Sequence, residues 1–158
     1  MGQEIERKFL LAGEGWRGLA EGVPYCQGYI ATRDRRTVRV RLVGAKGYLT
    51  LKGPALPNRL GRPEFEYEIP LAEAQEILET LCDRPIITKV RYKIAIGDLL
   101  WEVDEFAGEN AGLILAEVEL QSEDQPVPLP DWVGLEVTGD RRYYNSYLVK
   151  HPFQSWPA

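Results

Sequence analysis

A five-residue segment near the N-terminus, EIERK, carries two carboxylates and an amine at alternate positions. Side chains of an extended chain alternate between faces, so Glu4, Glu6 and Lys8 share one face, and Ile5 and Phe9 share the other. Like charges on one face of a strand require water or a facing cation. Taken alone, the segment is as typical of a solvated edge strand as of a functional site.

The same one-sided charge pattern recurs along the chain. TVRVRL sets Arg39 and Arg41 against apolar neighbours, YLTLKG does the same with Lys52, and EFEYEI does it with Glu64 and Glu66. Further charged faces are formed by Lys89, Arg91 and Lys93 in TKVRYKIAI, Glu102 and Asp104 in WEVDEF, and Glu117 and Glu119 in LAEVEL.

Two interpretations fit these faces. In the simpler one, a half-exposed sheet turns its charges to water. However, each strand tends to carry charges of one sign, whereas a solubilising surface mixes signs. The opposite faces also carry large apolar residues that must be buried. We therefore predict a barrel with its charges inside and its apolar faces outside, beneath helices and loops.

The predicted interior has the groups of a metal–polyphosphate site. The planar fork of arginine matches phosphate oxygens, and lysine adds a compact charge. Carboxylates without histidine suit Mg²⁺ or Mn²⁺, which commonly bridge protein and phosphate. His151 is the one histidine in the sequence, and there is no Walker loop, nucleophile elbow or dinucleotide fingerprint, so a zinc site and a histidine-dependent triad are not expected.

The elements that would hold these residues are mostly short strands separated by turn signals. Gly97-Asp98 predicts a tight hairpin, and GAKG at 44–47 predicts another. Helices are predicted at 71–84, at 140–150 with Asp140 as N-cap, and, from a weaker pattern, at 14–21. Segments 53–63 and 122–132 are predicted loops. The predicted strands are 3–10, 25–33, 36–43, 47–53, 63–70, 86–96, 99–106 and 113–121.

Bulk properties set wider limits. A chain of 158 residues favours one domain, and a net charge of −5 argues against nonspecific nucleic-acid binding. Cys26 and Cys82 lack metal-ligand spacing and are expected to be reduced thiols. The N-terminus has no signal-peptide pattern, so a cytoplasmic protein without membrane association is expected. A homodimer is left open.

The ordered set EIERK, RVRL, LTLKG, EFEYEI, TKVRY, WEVDEF and LAEVEL resembles the CYTH superfamily, the triphosphate tunnel metalloenzymes. The resemblance runs from Gln3 to about Lys150, so we expect a single domain over 1–158. It implies a mainly β fold, a closed eight-stranded antiparallel barrel forming a tunnel with a few covering helices. The chain is short, and in this it resembles the bacterial inorganic triphosphatase branch of the superfamily. That resemblance implies hydrolysis of tripolyphosphate with a divalent metal.

The resemblance also implies residue roles. Metal coordination falls to Glu4, Glu6, Glu117 and Glu119, with Glu64 and Glu66 as a second carboxylate pair that holds metal or orients water, and Asp104 as a further member. Triphosphate binding falls to Lys8, Arg39, Arg41, Lys52 and Arg91. Glu68, Lys93 and Glu102 continue the alternation as electrostatic background.

The expected chemistry is attack of water on a terminal phosphoryl group, with pyrophosphate leaving. A second metal, a tunnel glutamate or a lysine would activate the water. Lys89 is the lysine candidate, because Arg91 lies two residues away with nothing acidic on that strand, and like charge lowers a lysine pKa. Tyr29 would orient Lys89 by a hydrogen bond, with ordinary packing as its alternative role.

Several alternatives stay open at this stage. The family also contains thiamine triphosphatases and class IV adenylyl cyclases, and a noncatalytic polyphosphate or nucleotide sensor would share the basic residues. The C-terminal helix either closes or lines one tunnel mouth, or it packs Tyr144, Tyr147 and Leu148 on the barrel, the last being favoured.

Overall fold

A computed structural model describes residues 2–54 and 62–157, with side chains described from Ile5 onward. In this part of the chain ten strands form one antiparallel sheet. Their bounds are β1 Gly2–Glu4, β2 Glu6–Leu11, β3 Gly22–Ile30, β4 Thr37–Val43, β5 Lys46–Lys52, β6 Arg62–Ile69, β7 Ile87–Ile96, β8 Leu99–Phe106, β9 Ile114–Glu119 and β10 Val133–Glu136.

The sheet order explains how the charged faces come together. The strands run β1-β6-β5-β4-β3-β7-β8-β9-β2-β10, so β1 and β2 lie near opposite ends of the sheet although only Ile5 separates them in the chain. β1 pairs with β6, and β2 pairs with β9. The covalent chain through Ile5 therefore joins the two ends of a curved sheet. The mainly β prediction is confirmed, but the closed barrel is not: across the described residues the hydrogen-bonded ladder does not form a complete ring.

The differences from the predicted strands have local causes. The predicted strand 3–10 is interrupted at Ile5, where the chain leaves one partner strand for another. β10 follows the predicted loop 122–132 and was not predicted; it pairs with β2 through Val133 and Glu136 with a register shift between them. Of the predicted loop 53–63, residues 55–61 lie outside the described residues.

The helices are shorter than predicted. α1 spans Leu71–Thr80, and its buried residues are Ala74 and Leu78. The segment 140–150 divides into a 3-10 turn, Arg141–Tyr143, and α2, Asn145–Lys150. Asp140 caps the 3-10 turn, since its side chain accepts a hydrogen bond from the Arg142 backbone N–H.

The predicted helix at 14–21 is wrong. These residues form turns that bury Trp16 against the outer face of the sheet, on the side of Trp101. Tertiary packing of one large aromatic side chain fixes this segment without a hydrogen-bonded helix.

The apolar faces point outward, as predicted, and the half-exposed sheet with its charges in water is wrong. α1 covers β3, β4 and β5 around Val40, Ala74 and Leu78. The outer face around Trp101 is covered mainly by loops, which contribute Trp16 and Trp132. The C-terminal segment covers a third cluster that includes fully buried Leu148.

No helix within residues 2–54 and 62–157 combines the length and apolar character needed to cross a membrane.

Candidate active site

The inner face of the curved sheet encloses a cavity of about 910 Å³. Among the described residues that line it, eleven are lysines or arginines and seven are glutamates. The cavity therefore carries an excess of formal positive charge inside a chain whose net charge is −5. Such an inversion favours an anion as the occupant, because the lining attracts it while the outer surface does not.

One wall is a set of cations that β4 and β5 hold in register. Arg39 on β4 lies opposite Thr50 in the register with β5, and Lys52 on β5 lies opposite Glu64 in the register with β6. Arg41 donates to Glu66 Oε2 at 3.0 Å, and Thr50 donates to the same oxygen at 2.8 Å. These contacts hold the guanidiniums at the cavity surface.

Both arginines of this wall have spare donors. Among the described residues, the buried Nε atoms of Arg39 and Arg41 have no hydrogen-bond partner. Burial, together with the nearby charges of Arg39 and Arg91, lowers the pKa of Arg41 from its ordinary value. A buried donor without an acceptor is costly, so these two Nε atoms are a local cost of holding both guanidiniums at the cavity surface.

Arg91 and Lys89 share one buried carboxylate. Asp104 is 2% exposed and lies opposite Arg91 in the register of β7 and β8. Arg91 donates to both oxygens of Asp104, at 2.7 and 2.8 Å, and the Lys89 amine lies 2.7 Å from Oδ2. Asp104 is thus held behind the two cations and does not line the cavity.

The electrostatics of this cluster follow from its burial. Burial would raise the pKa of Asp104, but Lys89 and Arg91 lower it below its ordinary value. Burial lowers the pKa of Lys89 to about 7; Arg91 adds to this and Asp104 opposes it. Asp104 keeps its charge while sharing it with Arg91 through two hydrogen bonds, so it offsets only part of the burial effect on Lys89. The predicted depression therefore has burial as its main cause, and Arg91 as a smaller one.

Lys8 closes the cationic lining from the side of β2. Its amine donates to the Tyr143 carbonyl at 3.1 Å and lies 3.9 Å from Glu117 Oε2. Burial alone would lower the pKa of Lys8, but Glu117 and Glu6 raise it above its ordinary value. Lys8 therefore stays charged although it is almost fully buried.

The predicted metal ligands with described side chains that line the cavity divide into two groups, one on β2 and β9 and the other on β6. Glu6 pairs with Glu119 across β2 and β9, and Glu117 lies two residues from Glu119. Burial opposes ionisation of Glu117, but Lys8 and other nearby cations lower its pKa below its ordinary value. Glu64 and Glu66 lie on β6, where they face Lys52 and Thr50. The side chain of Glu4 lies outside the described residues.

Within the described part of the chain, no three acidic, cysteine or histidine side chains converge closely enough to hold a metal ion by themselves. The donor chemistry nevertheless fits Mg²⁺ or Mn²⁺, since the lining offers carboxylate oxygens and no histidine. Mg²⁺ in particular is usually held by one or two carboxylates together with substrate phosphates and water, so a complete protein cage is not required.

Tyr29 is placed differently from the prediction. Its hydroxyl accepts a hydrogen bond from Gln27 Nε2 at 3.2 Å, and Gln27 also donates to Asn145 Oδ1 at 3.1 Å. Asn145 Oδ1 in turn accepts from the Lys89 amine at 3.0 Å. Tyr29 is therefore joined to Lys89 through Gln27 and Asn145.

Three residues that sequence reasoning missed lie close to these charges. Tyr25 contacts Arg41 and Arg91, Tyr144 lies against the Lys8 amine, and Asn145 binds Lys89. Tyr25, Gln27 and Tyr29 occur at alternate positions of β3 and so share one face, and this spacing could have predicted that Tyr25 lies beside the site. Asn145 and Tyr144 carried none, because their contacts depend on how the C-terminal segment folds back.

The C-terminal segment combines the two predicted roles. Leu148 packs against the barrel, as the favoured alternative required. Tyr144, Asn145 and Ser146 line the cavity, so the beginning of α2 also forms part of its wall.

The fold and the site together define a class of protein in which a curved antiparallel sheet encloses a cavity lined by lysines, arginines and glutamates. The chain belongs to the CYTH domain family, whose pattern matches residues 2–144. It is 53% identical over 156 residues to an inorganic triphosphatase of Acetivibrio thermocellus, with 99% of each chain covered. It is 40% identical over 150 residues to an inorganic triphosphatase of Nitrosomonas europaea, and this alignment covers 92% of this chain and 96% of the relative.

A solved structure agrees with these sequence relationships. The crystal structure of the inorganic triphosphatase NE1496 aligns over 100% of this chain and 99% of its own, with 36% identity and a TM-score of 0.67. The predicted family and mainly β fold are thereby confirmed.

Proposed function

We propose that the protein hydrolyses inorganic triphosphate to pyrophosphate and phosphate inside the tunnel. The observation that carries this proposal is the cationic lining, in which eleven lysines and arginines and seven glutamates among the described residues surround one cavity. The names of relatives that cover nearly the whole chain support the same activity. A triphosphate supplies closely spaced anionic oxygens, which match several guanidiniums and amines on one surface.

The cations would hold the substrate in line for attack by water. Arg39, Arg41 and Lys52 lie on one wall, and Lys8 and Arg91 line the same cavity from β2 and β7. As the phosphoryl group transfers, charge is spread over its equatorial oxygens and builds up on the leaving oxygen, so fixed guanidiniums stabilise the transition state. Because these side chains are already held by Glu66, Asp104 and Glu117, little reorganisation is required.

Divalent metal dependence is part of this proposal. Glu6, Glu117 and Glu119 on β2 and β9 would hold Mg²⁺ or Mn²⁺, with Glu64 and Glu66 on β6 as a second carboxylate pair, and Glu4 remains a predicted ligand. When bound, such an ion supplies charge neutralisation on phosphate oxygens and lowers the pKa of a coordinated water.

Lys89 is the proposed base for the attacking water. It lines the cavity, and burial lowers its pKa to about 7, so a neutral amine is available near neutral pH. Asn145 fixes the direction of the amine by accepting one hydrogen bond. Tyr29 contributes through Gln27, which donates to both Tyr29 and Asn145.

Asp104 takes a different proposed role from that of a metal ligand. Both of its oxygens bind Arg91 or Lys89, and the carboxylate lies behind these residues rather than in the cavity. We assign it to holding the two cations in place. Cytoplasmic location, the absence of nucleic-acid and membrane partners, and a homodimer remain predictions.

The test is a panel of substrates with Mg²⁺ or Mn²⁺. Purified protein is incubated separately with tripolyphosphate, ATP and thiamine triphosphate, and phosphate, pyrophosphate and cyclic AMP are measured. Phosphate and pyrophosphate from tripolyphosphate support the proposal. Preferential hydrolysis of thiamine triphosphate, or cyclic AMP from ATP, would move the protein to another branch of the family; binding without any product would make it a sensor.

A further inference from the structure

Tyr25 lies on the inner face of β3 between two strands that carry arginines. Its register partners are Val43 on β4 and Lys89 on β7. Arg41 comes two residues before Val43, and Arg91 comes two residues after Lys89, so both arginines are diagonal neighbours of Tyr25 on the same face. Diagonal neighbours in an antiparallel sheet lie within reach of an aromatic ring and a long side chain.

The side chains use this placement. The guanidinium carbon of Arg41 lies 5.2 Å from the centroid of the Tyr25 ring, and that of Arg91 lies 4.9 Å from it. Both distances are within the range of cation–π attraction. Tyr25 is 5% exposed, so water does little to weaken either contact.

The Tyr25 ring lies beside two guanidiniums, those of Arg41 and Arg91, which repel each other. Arg91 is among the groups that lower the pKa of Arg41, which shows that the two guanidiniums repel each other across this part of the cavity. Carboxylates compensate each guanidinium: Glu66 binds Arg41, whereas Arg91 binds Asp104 and also lies 3.3 Å from Glu102 and 3.6 Å from Glu117. A tyrosine ring offers its negative π-face to a cation without adding a further carboxylate, so it attracts both cations without adding negative charge that would repel an anionic ligand.

We infer that Tyr25 is a positioning residue which holds Arg41 and Arg91 at a fixed separation through its π-face, so that both guanidiniums are set for one polyphosphate anion. This inference rests on the proposed function, since it requires these two arginines to bind the substrate. It assigns the effect to the ring and not to the phenolic hydroxyl.

The experiment compares rings of nearly equal shape and different charge distribution. Tyr25→Phe keeps the π-face and removes the hydroxyl. Pentafluorophenylalanine, introduced at position 25 by codon suppression, keeps the ring and withdraws electron density from its face. Tyr67→Leu is the matched control, because Tyr67 is 56% exposed on β6 and does not line the cavity.

Affinity is measured by calorimetry with an imido-bridged tripolyphosphate, which keeps the terminal oxygens and resists hydrolysis. Calorimetry separates Kd from stoichiometry, so a partly unfolded sample lowers the stoichiometry without raising Kd. We expect Tyr25→Phe and Tyr67→Leu to bind within about threefold of the unchanged protein. The fluorinated ring should raise Kd about tenfold, because it weakens the cation–π contacts with both Arg41 and Arg91.

The outcomes separate the inference from the proposed function. If the unchanged protein does not bind the analogue, the proposed function fails. If it binds but phenylalanine and its fluorinated form give equal Kd values, only the role of the π-face is overturned. A loss of affinity already complete in Tyr25→Phe would likewise overturn it, because the hydroxyl would then carry the effect.

Discussion

Replacing Asp104 by asparagine distinguishes an anchor for buried cations from a metal ligand. The substitution keeps the size of the side chain but removes the charge that Arg91 and Lys89 share at 2.7 to 2.8 Å. Breaking a buried ion pair in this way costs about 3–5 kcal/mol, because Lys89 and Arg91 lose the buried carboxylate that they share. For a domain of this size the melting temperature should then fall by roughly 6–20 °C.

The assay is chemical denaturation of metal-free protein in EDTA at neutral pH. Glu105→Gln is the matched control, since it is the same carboxylate-to-amide change one residue later on β8, in an exposed ion pair with Arg17. That change should cost about 0–1 kcal/mol. The pKa of Asp104 is lowered in the folded state, so its contribution is present above the unfolded pKa and is lost as pH falls through the folded pKa. The difference in free energy of unfolding between the unchanged protein and Asp104→Asn should therefore become smaller at acidic pH.

A metal ligand predicts the opposite sign. In metal-free protein, neutralising one carboxylate of an empty metal site relieves repulsion and leaves the free energy of unfolding unchanged or higher. A cost below about 1 kcal/mol for Asp104→Asn would therefore refute the anchoring role, since an exposed pair costs that much.

Three further predictions concern turnover. Arg41→Ala should lower kcat/KM by at least about 10²-fold, as loss of a transition-state donor does, with little change in the unfolding midpoint, whereas Arg7→Ala on the outer face should retain activity. The pH–rate profile should rise through an inflection at about 7 as Lys89 loses its proton, and a Lys89→Ala profile with the same inflection would remove it as the base. Chelation by EDTA should abolish hydrolysis and added Mg²⁺ or Mn²⁺ should restore it; turnover that survives rigorous metal removal would contradict the metal-dependent scheme.

The inward direction of the charges could be predicted because it depends on a period of two within each strand. Like charges on one face of a strand, such as Arg39 with Arg41 or Glu64 with Glu66, repel each other unless a neighbouring strand supplies opposite charges. The structure supplies that compensation through Arg41 and Glu66. Patterns inside a strand were therefore sufficient for the fold class and for the cationic lining.

Relations between distant segments could not be predicted in the same way. The sequence argument for Lys89 considered acidic residues on its own strand, but Asp104 reaches it from β8, and only the register of β7 and β8 reveals this. The break at Ile5 depends on which strands flank β1 and β2. Asn145 reaches Lys89 only because the C-terminal segment folds back over the tunnel.

The uncovered part of the outer face was also missed. The alternation requires apolar residues to face outward, but it does not define how far a covering helix extends. α1 ends at Thr80, and Phe65 and Tyr67 on β6 remain 44% and 56% exposed.

Phosphorus NMR of tripolyphosphate mixed with the protein and Mg²⁺ tests the central claim most directly. Resonances of tripolyphosphate should disappear while phosphate and pyrophosphate appear in equal amounts, and Arg41→Ala at the same concentration should leave the substrate largely intact. Tripolyphosphate that persists with the unchanged protein, or that disappears as fast with Arg41→Ala, would contradict hydrolysis by the cationic tunnel.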